Sequence, residues 1–219
     1  PSGGGYCALA VATNKYAGGE IAVIPISGGA ITTGGSHSFD ATFVLGMVGN
    51  TPPALAAITN RTVNVGQTVA FTASATDTDS PPQTLTFTLL AGATNATFNT
   101  NSGAFSFRPL VTQANSTNNF TLKVSDNGTP SLSATQSFSV FVNPLSAPAV
   151  SDVSNAGGQF SLSVNGQSGP DYAIEVSTNL TQWSNVFITN SPALPFNWTD
   201  TNSAMPQRFY RIKLGPPLP

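Results

Sequence analysis

Acidic and amide side chains in two loop-like segments are the residues of this sequence best suited to chemistry. Asp77 and Asp79 follow an alternating apolar segment, and Asp126 and Asn127 lie in the stretch SDNGTP. Ca²⁺ takes six to eight oxygen ligands at roughly 2.3 to 2.6 Å. If both segments lie at one end of a β-sandwich, and Asn50 enters at that end, these residues predict a Ca²⁺ site. Asx turns explain the same residues equally well, so both interpretations stay open.

Three aromatic residues in the last third of the chain are candidates for carbohydrate binding. An exposed ring on a β-sandwich can stack on a sugar ring while neighbouring Asn and Asp side chains bind its hydroxyl groups. The candidates are Tyr172, Trp183 and Trp198. Packing in a hydrophobic core is the alternative for each of them.

Residues that could support catalysis are scarce. His37 is the only histidine, and Glu20 and Glu175 are the only glutamates. A catalytic triad has one imidazole available, and paired carboxylates for glycoside hydrolysis would have to come from distant segments. Glu175 follows Ile174 in an alternating segment, so we expect it to point outward at the surface. The sequence has no nucleophile elbow, phosphate-binding loop or haem-attachment motif, and we predict that the chain is not an enzyme.

The composition is typical of an exported β-protein. Only 7% of the 219 residues are charged and the net charge is -2, so no basic surface for nucleic acid or anionic lipid is expected. No apolar run reaches about 18 residues, so no membrane span is predicted. Any export signal is expected upstream of residue 1. Cys7, the single cysteine, excludes an intrachain disulfide, and we expect a buried apolar side chain, with pairing to another chain or a free thiol as alternatives.

Alternating apolar and polar residues indicate a β-sandwich in the middle of the chain. Segment 67–76, QTVAFTASAT, places Val69, Phe71, Ala73 and Ala75 on one face and most of its Ser and Thr residues on the other. The alternation recurs in TLTFTL, GAFSF, FTLKV and SFSVFV, and more weakly in ALAAIT and TVNV. About seven short strands separated by turns are typical of an immunoglobulin-like sandwich. Proline-rich stretches on both sides place the domain at residues 51–145.

The stretch 62–142 resembles the bacterial cadherin-like repeats of the immunoglobulin fold. The matching segments are VNVGQTVAFTASATDTDSPPQTLTFTL, FNTNSGAFSFRP and FTLKVSDNGTPSLSATQSFSVFV, in that order. Such repeats occur in large surface and secreted proteins, so the resemblance implies an extracellular sandwich domain. It also implies that a Ca²⁺ ion at the acidic end could bridge the preceding segment to this domain, as in cadherin-like proteins.

Residues 146–219 are predicted to form a smaller β-sandwich. The segments FSLSVNG, DYAIEVS, WSNVFIT, FNWTD and RFYRIKL indicate about five strands or more. YAIEVSTNLTQWSNV, FNWTDTNS and QRFYRIKL resemble the C-terminal β-modules of secreted proteins from verrucomicrobial and planctomycete-type bacteria. That resemblance implies no particular chemistry.

Residues 1–50 contain apolar strand-like segments, YCALAVAT, EIAVIPI and FDATFVLGMV, joined by Gly-Gly turns. They could form a small sheet stacked on the next domain, the end of a larger domain, or a segment that pairs with a neighbouring subunit by strand addition. The predicted fold class is therefore all-β, with tandem immunoglobulin-like sandwiches preceded by a short β-rich N-terminal segment.

Together these observations predict a non-catalytic, secreted structural or adhesive protein at the cell surface, which self-associates into an oligomer or filament through strand edges. The alternative is a non-catalytic tail that binds polysaccharide or cell envelope and belongs to a larger secreted enzyme. The expected cofactor is Ca²⁺ or none.

Overall fold

The computed structural model describes residues 20–21, 47–201 and 207–218, and these residues lie mostly in β-strands. The predicted all-β fold class is therefore confirmed. Two separate clusters of buried apolar residues form the cores, one before and one after the predicted boundary near residue 145. In the N-terminal segment, β1 (Glu20–Ile21) pairs antiparallel with β2 (Met47–Val48). Cys7, His37 and most of the strands predicted in residues 1–50 lie outside the described residues.

Nine strands form the middle domain as two facing groups. One sheet has the order β4-β11-β10-β7, and the other group consists of β5-β9-β8 and the pair β3-β6. If β3 and β4 are taken as the halves of a first strand, and β5 with β6 as a second, the order matches an immunoglobulin-like sandwich. The strands are β3 (Ala54–Leu55), β4 (Arg61–Val63), β5 (Val69–Thr72), β6 (Ala75–Thr76), β7 (Thr86–Ala91), β8 (Ala96–Phe98), β9 (Ala104–Phe107), β10 (Ser116–Ser125) and β11 (Ser133–Val142).

The first strand of this domain is divided between the two sheets. β3 pairs antiparallel with β6 in one sheet, and β4 pairs parallel with β11 in the other. The single strand predicted for residues 67–76 is also divided, into β5, which pairs with β9, and β6, which pairs with β3. Val69, Phe71, Ala73 and Ala75 of that segment are nevertheless buried or half-buried, as the alternation predicts.

Phenylalanine rings fill the middle core. Phe120 and Phe138 are paired across β10 and β11, and their rings stack at 5.2 Å. Phe105 contacts both rings edge-on, at 5.1 and 5.3 Å. Such pairs add about 0.5–1.5 kcal/mol each to the stabilisation from burial. The strands on both sides are therefore held by one continuous aromatic cluster.

Six strands are present in the described part of the C-terminal domain. One sheet has the order β12-β13-β16 and the other β15-β14-β17. The sequence prediction of five strands or more agrees with this, but β12 was missed because its residues lack apolar alternation and are all exposed. The strands are β12 (Ala149–Ala156), β13 (Gln159–Asn165), β14 (Asp171–Ser177), β15 (Ser184–Thr189), β16 (Phe196–Asp200) and β17 (Phe209–Gly215).

Candidate functional site

The amide of Asn50 joins the loops at the N-terminal end of the middle domain. Its Nδ2 donates to Asp126 Oδ2 at 3.1 Å and to the carbonyl of Pro130 at 2.8 Å. Its Oδ1 accepts a hydrogen bond from Gln83 Nε2 at 2.6 Å, and the same nitrogen donates to Asp79 Oδ2 at 3.0 Å. These hydrogen bonds bring Asn50, Asp79 and Asp126 into one network. We call Asn50, Thr51, Asp77, Asp79, Gln83 and Asp126 the Asn50 network.

The next residue binds the same end of the domain. Thr51 N–H and Oγ1 donate to the two carboxylate oxygens of Asp79, at 2.9 and 2.8 Å. Gly128 lies directly beneath the Asn50 side chain, since a Cβ added there would sit 2.2 Å from Asn50 Oδ1. The chain entering the domain is thus held by charge-assisted hydrogen bonds, which are the stronger kind.

Both predicted Asx turns are present. Asp77 Oδ1 accepts from Asp79 N–H at 2.9 Å, and Asp126 Oδ1 accepts from Gly128 N–H at 3.1 Å. Burial acts to raise the pKa of Asp126, but hydrogen bonds from Leu132, Gly128, Asn50 and Ser131 outweigh it and hold that pKa below its usual value. A carboxylate with so many donors is stabilised in its ionised form.

Two oxygens in the Asn50 network lack partners. Asp77 Oδ2 and Gln83 Oε1 are buried and have no hydrogen bond among the described residues. Unpaired buried oxygens of this kind suit a hard cation such as Ca²⁺. Asn127 lies at the edge of the network, where its Oδ1 accepts from Thr84 N–H at 2.8 Å.

The carboxylates of the network do not converge on one point. Within the described residues, no group of three or more His, Cys, Asp and Glu side chains is placed to hold a metal ion. The amide nitrogens of Asn50 and Gln83 lie between the carboxylates and bind them in turn. A cation would therefore have to displace these amide contacts and recruit the unpaired oxygens of Asp77 and Gln83.

An ion pair joins the middle and C-terminal domains at the opposite end. Arg108 binds Asp171 with both ends of its guanidinium, Nη2 to Oδ1 at 2.6 Å and Nη1 to Oδ2 at 3.1 Å. Its Nε donates to the carbonyl of Gly66 at 2.9 Å. Asp171 is only 4% exposed, and bidentate Arg–carboxylate pairs fix geometry as well as adding energy.

Backbone contacts complete this junction. Val111 N–H donates to the carbonyl of Pro216 at 2.8 Å, and Asn64 Nδ2 donates to that of Ser168 at 2.9 Å. Gly66, with φ of +76°, approaches Gly169 so closely that a Cβ would lie 2.2 Å from the Gly169 carbonyl oxygen. The two domains therefore meet through paired polar groups and a close approach of the backbones.

The three aromatic candidates differ in exposure. Tyr172 is only 1% exposed and its hydroxyl donates to the carbonyl of Gln167. No sugar could stack on this enclosed ring, which corrects the assignment of Tyr172 to ligand binding. Trp198 packs in the C-terminal core, 5.7 Å from the ring of Tyr210. Trp183 is half-buried, with the guanidinium of Arg211 4.2 Å from its ring centre.

Two buried carboxylates in the C-terminal domain, Glu175 and Asp200, bind cations of the same domain. Glu175 is 5% exposed, so the expectation that it points outward at the surface was wrong. Arg211 binds it at 2.5 Å, and Lys213 lies at 3.7 Å. Asp200 binds Arg208 and accepts from the hydroxyl of Tyr210 at 2.6 Å. These ion pairs cover carboxylates that a strand would otherwise expose.

Sequence reasoning missed Gln83, Thr51 and the Arg108–Asp171 pair. Gln83 and Thr51 carried a usable signal, because both lie within a few residues of predicted ligands. Arg108 and Asp171 are 63 residues apart and belong to different domains, so no local pattern connects them.

Among the described residues, no helix is long and apolar enough to cross a membrane.

No protein-family model matches the sequence, and no curated protein is similar to it. Solved structures of low similarity include human CDH23 EC21-23, at 16% identity and a TM-score of 0.37, covering 74% of this chain and 63% of that one. Drosophila N-cadherin EC1-4 has 14% identity and a TM-score of 0.34, covering 64% and 40%.

A nucleoside hydrolase-related hypothetical protein from Saccharophagus degradans, associated with carbohydrate metabolism, has 20% identity and a TM-score of 0.37, covering 43% of this chain and 26% of that one. The chain thus spans less than two thirds of each of these proteins. The fold assignment rests on the strand order described above.

Proposed function

We propose that this chain is a non-catalytic structural or adhesive protein of the extracellular space, which self-associates at the cell surface. The observation that carries this proposal is the junction at Arg108 and Asp171, where a bidentate ion pair with a buried carboxylate joins one sandwich to the next. Domains joined by flexible linkers move relative to one another by default. A fixed junction therefore suits a protein that holds other components at a set distance or transmits force.

The use of charge in the C-terminal domain supports the same proposal. Its buried carboxylates, Asp171, Glu175 and Asp200, each bind an arginine of this chain. Carboxylates that bind arginines in this way stabilise the folded protein, whereas a general acid or base needs contact with a substrate. The low charge and the resemblance to bacterial cadherin-like repeats favour an extracellular location.

Electron microscopy of the purified chain, together with light scattering over a range of concentrations, tests the proposal. We expect filaments, arrays or discrete oligomers built from rods of linked sandwiches. A compact particle that remains monomeric at the highest soluble concentration would contradict self-association. A variant with a disrupted junction, Arg108→Met, should give rods with a variable angle between domains, whereas Arg61→Met should not.

We further propose that Ca²⁺ binds the Asn50 network, with Asp77, Asp79 and Asp126 as carboxylate ligands, Asn50 as an amide ligand within the network and Asn127 as one at its edge. Support comes from the buried, unpaired oxygens of Asp77 and Gln83. A cation at tenfold its dissociation constant adds about 1.4 kcal/mol to the free energy of unfolding.

Thermal unfolding with CaCl₂ or with a chelator measures this. We expect Ca²⁺ to raise the melting temperature of the wild type and not that of Asp77→Asn. Asp152→Asn is the matched control. This substitution removes the same charge, and Asp152 lies on the exposed strand β12. Identical melting temperatures in Ca²⁺ and chelator would leave the Asx turns as the whole role of these residues.

A polysaccharide-binding tail is the second candidate function. The observation that favours it is that Trp183 is partly exposed and lies beside the guanidinium of Arg211. A sugar could stack on the indole ring and accept hydrogen bonds from the guanidinium. Binding of cell-wall polysaccharides by the wild type, lost in Trp183→Ala and kept in Val186→Ala, would support this function. Equal binding by both variants would exclude Trp183 as the site.

A further inference from the structure

The two sheets of the C-terminal domain are offset by one strand. Phe160 on β13 stacks on Tyr210 of β17 at 4.4 Å. Phe196 on β16 lies 5.7 Å from Tyr172 of β14 and 5.8 Å from Phe187 of β15. β13 therefore lies over β17, and β16 lies over β14 and β15. Because β12 lies beyond β13 and β17 is the last strand of its sheet, β12 faces no described strand.

The exposure of β12 agrees with this offset. All eight of its residues are exposed, including Val150 at 47% and Val153 at 60%. β17 pairs with β14 along one edge, and no described strand pairs with its other edge. The described part of the domain therefore has no strand beside β17, at the position that would face β12.

An apolar groove occupies this position. Its lining comes from β12, β13 and β17 and includes Val150, Phe160, Leu162, Tyr210 and Ile212. Arg208 also lines the groove, and its Nε is buried without a hydrogen-bond partner among the described residues. An unsatisfied N–H beside a free strand edge suits the carbonyl group of an added strand.

We infer that a strand from a second copy of this chain inserts into the groove, pairs with the free edge of β17 and covers β12. The inserting strand is residues 6–13, YCALAVAT. This inference rests on the proposed self-association and names the contact that produces it.

The composition of residues 6–13 fits the groove. The segment has no charged residue, proline or glycine, and its alternate residues Cys7, Leu9 and Val11 would share one face. An extended peptide that adds to a sheet edge gains affinity from backbone hydrogen bonds and specificity from alternate side chains. Leu9 and Val11 would meet the apolar lining while the backbone pairs with β17.

The donor must come from another copy because its own tether is too short. Glu20 pairs with Val48, two residues before Asn50, which binds beside the end of β10 at Asp126. The path from residue 13 to Asn50 runs along residues 14–19, across the β1–β2 pair and along residues 49–50. Its greatest length is about 33 Å. The ten residues of β10 also span about 33 Å. The groove begins only beyond the far end of β10, at the junction.

This arrangement defines the symmetry of the assembly. The donor segment leaves from one end of the two linked sandwiches and the acceptor groove belongs to the other end. Such a contact is heterologous, and heterologous contacts generate rings or open filaments. We therefore expect head-to-tail chains of molecules.

The single cysteine allows a direct test, because Cys7 lies in the donor segment. A tagged wild-type chain is mixed with untagged Cys7→Ser chains that carry one new cysteine, Val150→Cys, Asn155→Cys or Gln207→Cys, along the groove. Val186→Cys is the matched control, since Val186 is 40% exposed on the opposite edge strand. A disulfide requires the two Cα atoms to lie about 4.4–6.8 Å apart.

We expect tagged–untagged disulfide dimers with at least one groove cysteine and none with Val186→Cys. If the wild type assembles but the groove positions cross-link no more than the control, strand insertion is overturned while self-association stands. If Val150→Cys chains cross-link to each other instead of to Cys7, the contact is an edge-to-edge pairing of β12, which also overturns the inference. A monomeric wild type overturns both proposals.

A second measurement does not depend on cysteine chemistry. Val150→Asp places a charge in the groove at an already exposed position, and Val186→Asp places the same charge on β15. Light scattering should show loss of large assemblies for Val150→Asp and no loss for Val186→Asp. Equal assembly by both variants would contradict a donor strand in the groove.

Discussion

The first strand is arranged differently in the middle and C-terminal domains. In the middle domain the first strand is divided, and its halves β3 and β4 pair with opposite sheets. In the C-terminal domain the first strand, β12, stays in one sheet and faces no described strand. A divided first strand thus pairs with both sheets of its sandwich, whereas the undivided β12 pairs with one sheet only.

The two cores also differ in chemistry. The middle core is a cluster of phenylalanine rings in which Phe105, Phe107 and Phe120 are almost completely buried. The C-terminal domain has a smaller apolar cluster and buries three carboxylates, each bound to an arginine. We therefore expect apolar packing to determine the stability of the first domain and ion pairs to contribute strongly to that of the second.

The largest predicted effect is on the aromatic core. Phe120→Ala should lower the free energy of unfolding of the middle domain by about 3–5 kcal/mol, because the ring is fully buried and leaves a cavity. Phe160→Ala removes a partly exposed ring at the groove and should cost the C-terminal domain about 1–2 kcal/mol. Urea unfolding followed by hydrogen exchange measures each domain separately. Equal losses for the two variants would contradict the contrast between the cores.

The sequence predicted most strands, since alternation is a local property that follows from the pleat. It also predicted the meeting of Asn50, Asp79 and Asp126, because loops at one end of a sandwich follow from strand order. It failed for Glu175, where alternation indicated a surface position but Arg211 and Lys213 cover the carboxylate. That cover comes from another strand, so no local pattern could have shown it.

The next effect concerns the junction between the domains. Arg108→Met keeps most of the side-chain volume but leaves Asp171 buried without its cation, and should destabilise the C-terminal domain by about 2 kcal/mol. Asp171→Asn in the same chain should recover part of this loss, because the uncompensated charge is gone. Tryptophan fluorescence during urea unfolding reports on this domain alone, since both Trp183 and Trp198 belong to it. An unchanged midpoint for Arg108→Met would show that the pair does not hold the junction.

The smallest effects are expected from pH, and they should separate the two domains. Burial raises the pKa of Tyr172, and burial together with Asp200 raises that of Tyr210. The folded C-terminal domain thus binds these protons more tightly than the unfolded chain. Its stability should be complete below about pH 10 and fall as the pH rises above that value. Residues 51–145 contain no tyrosine, so the middle domain lacks this alkaline loss.

Acid should weaken the middle domain at Asp126. Hydrogen bonds from Leu132, Gly128, Asn50 and Ser131 prevail over burial and lower the pKa of Asp126. Its contribution is present above about pH 4 and is lost as the pH falls through the lower, folded-state pKa. Hydrogen exchange at both extremes measures each domain, with Tyr210→Phe expected to flatten the alkaline response and Asp126→Asn the acid one. If Tyr210→Phe changed the alkaline response of the middle domain as well, the two sandwiches would unfold as one cooperative unit, and the junction at Arg108 would couple them more strongly than their separate cores indicate.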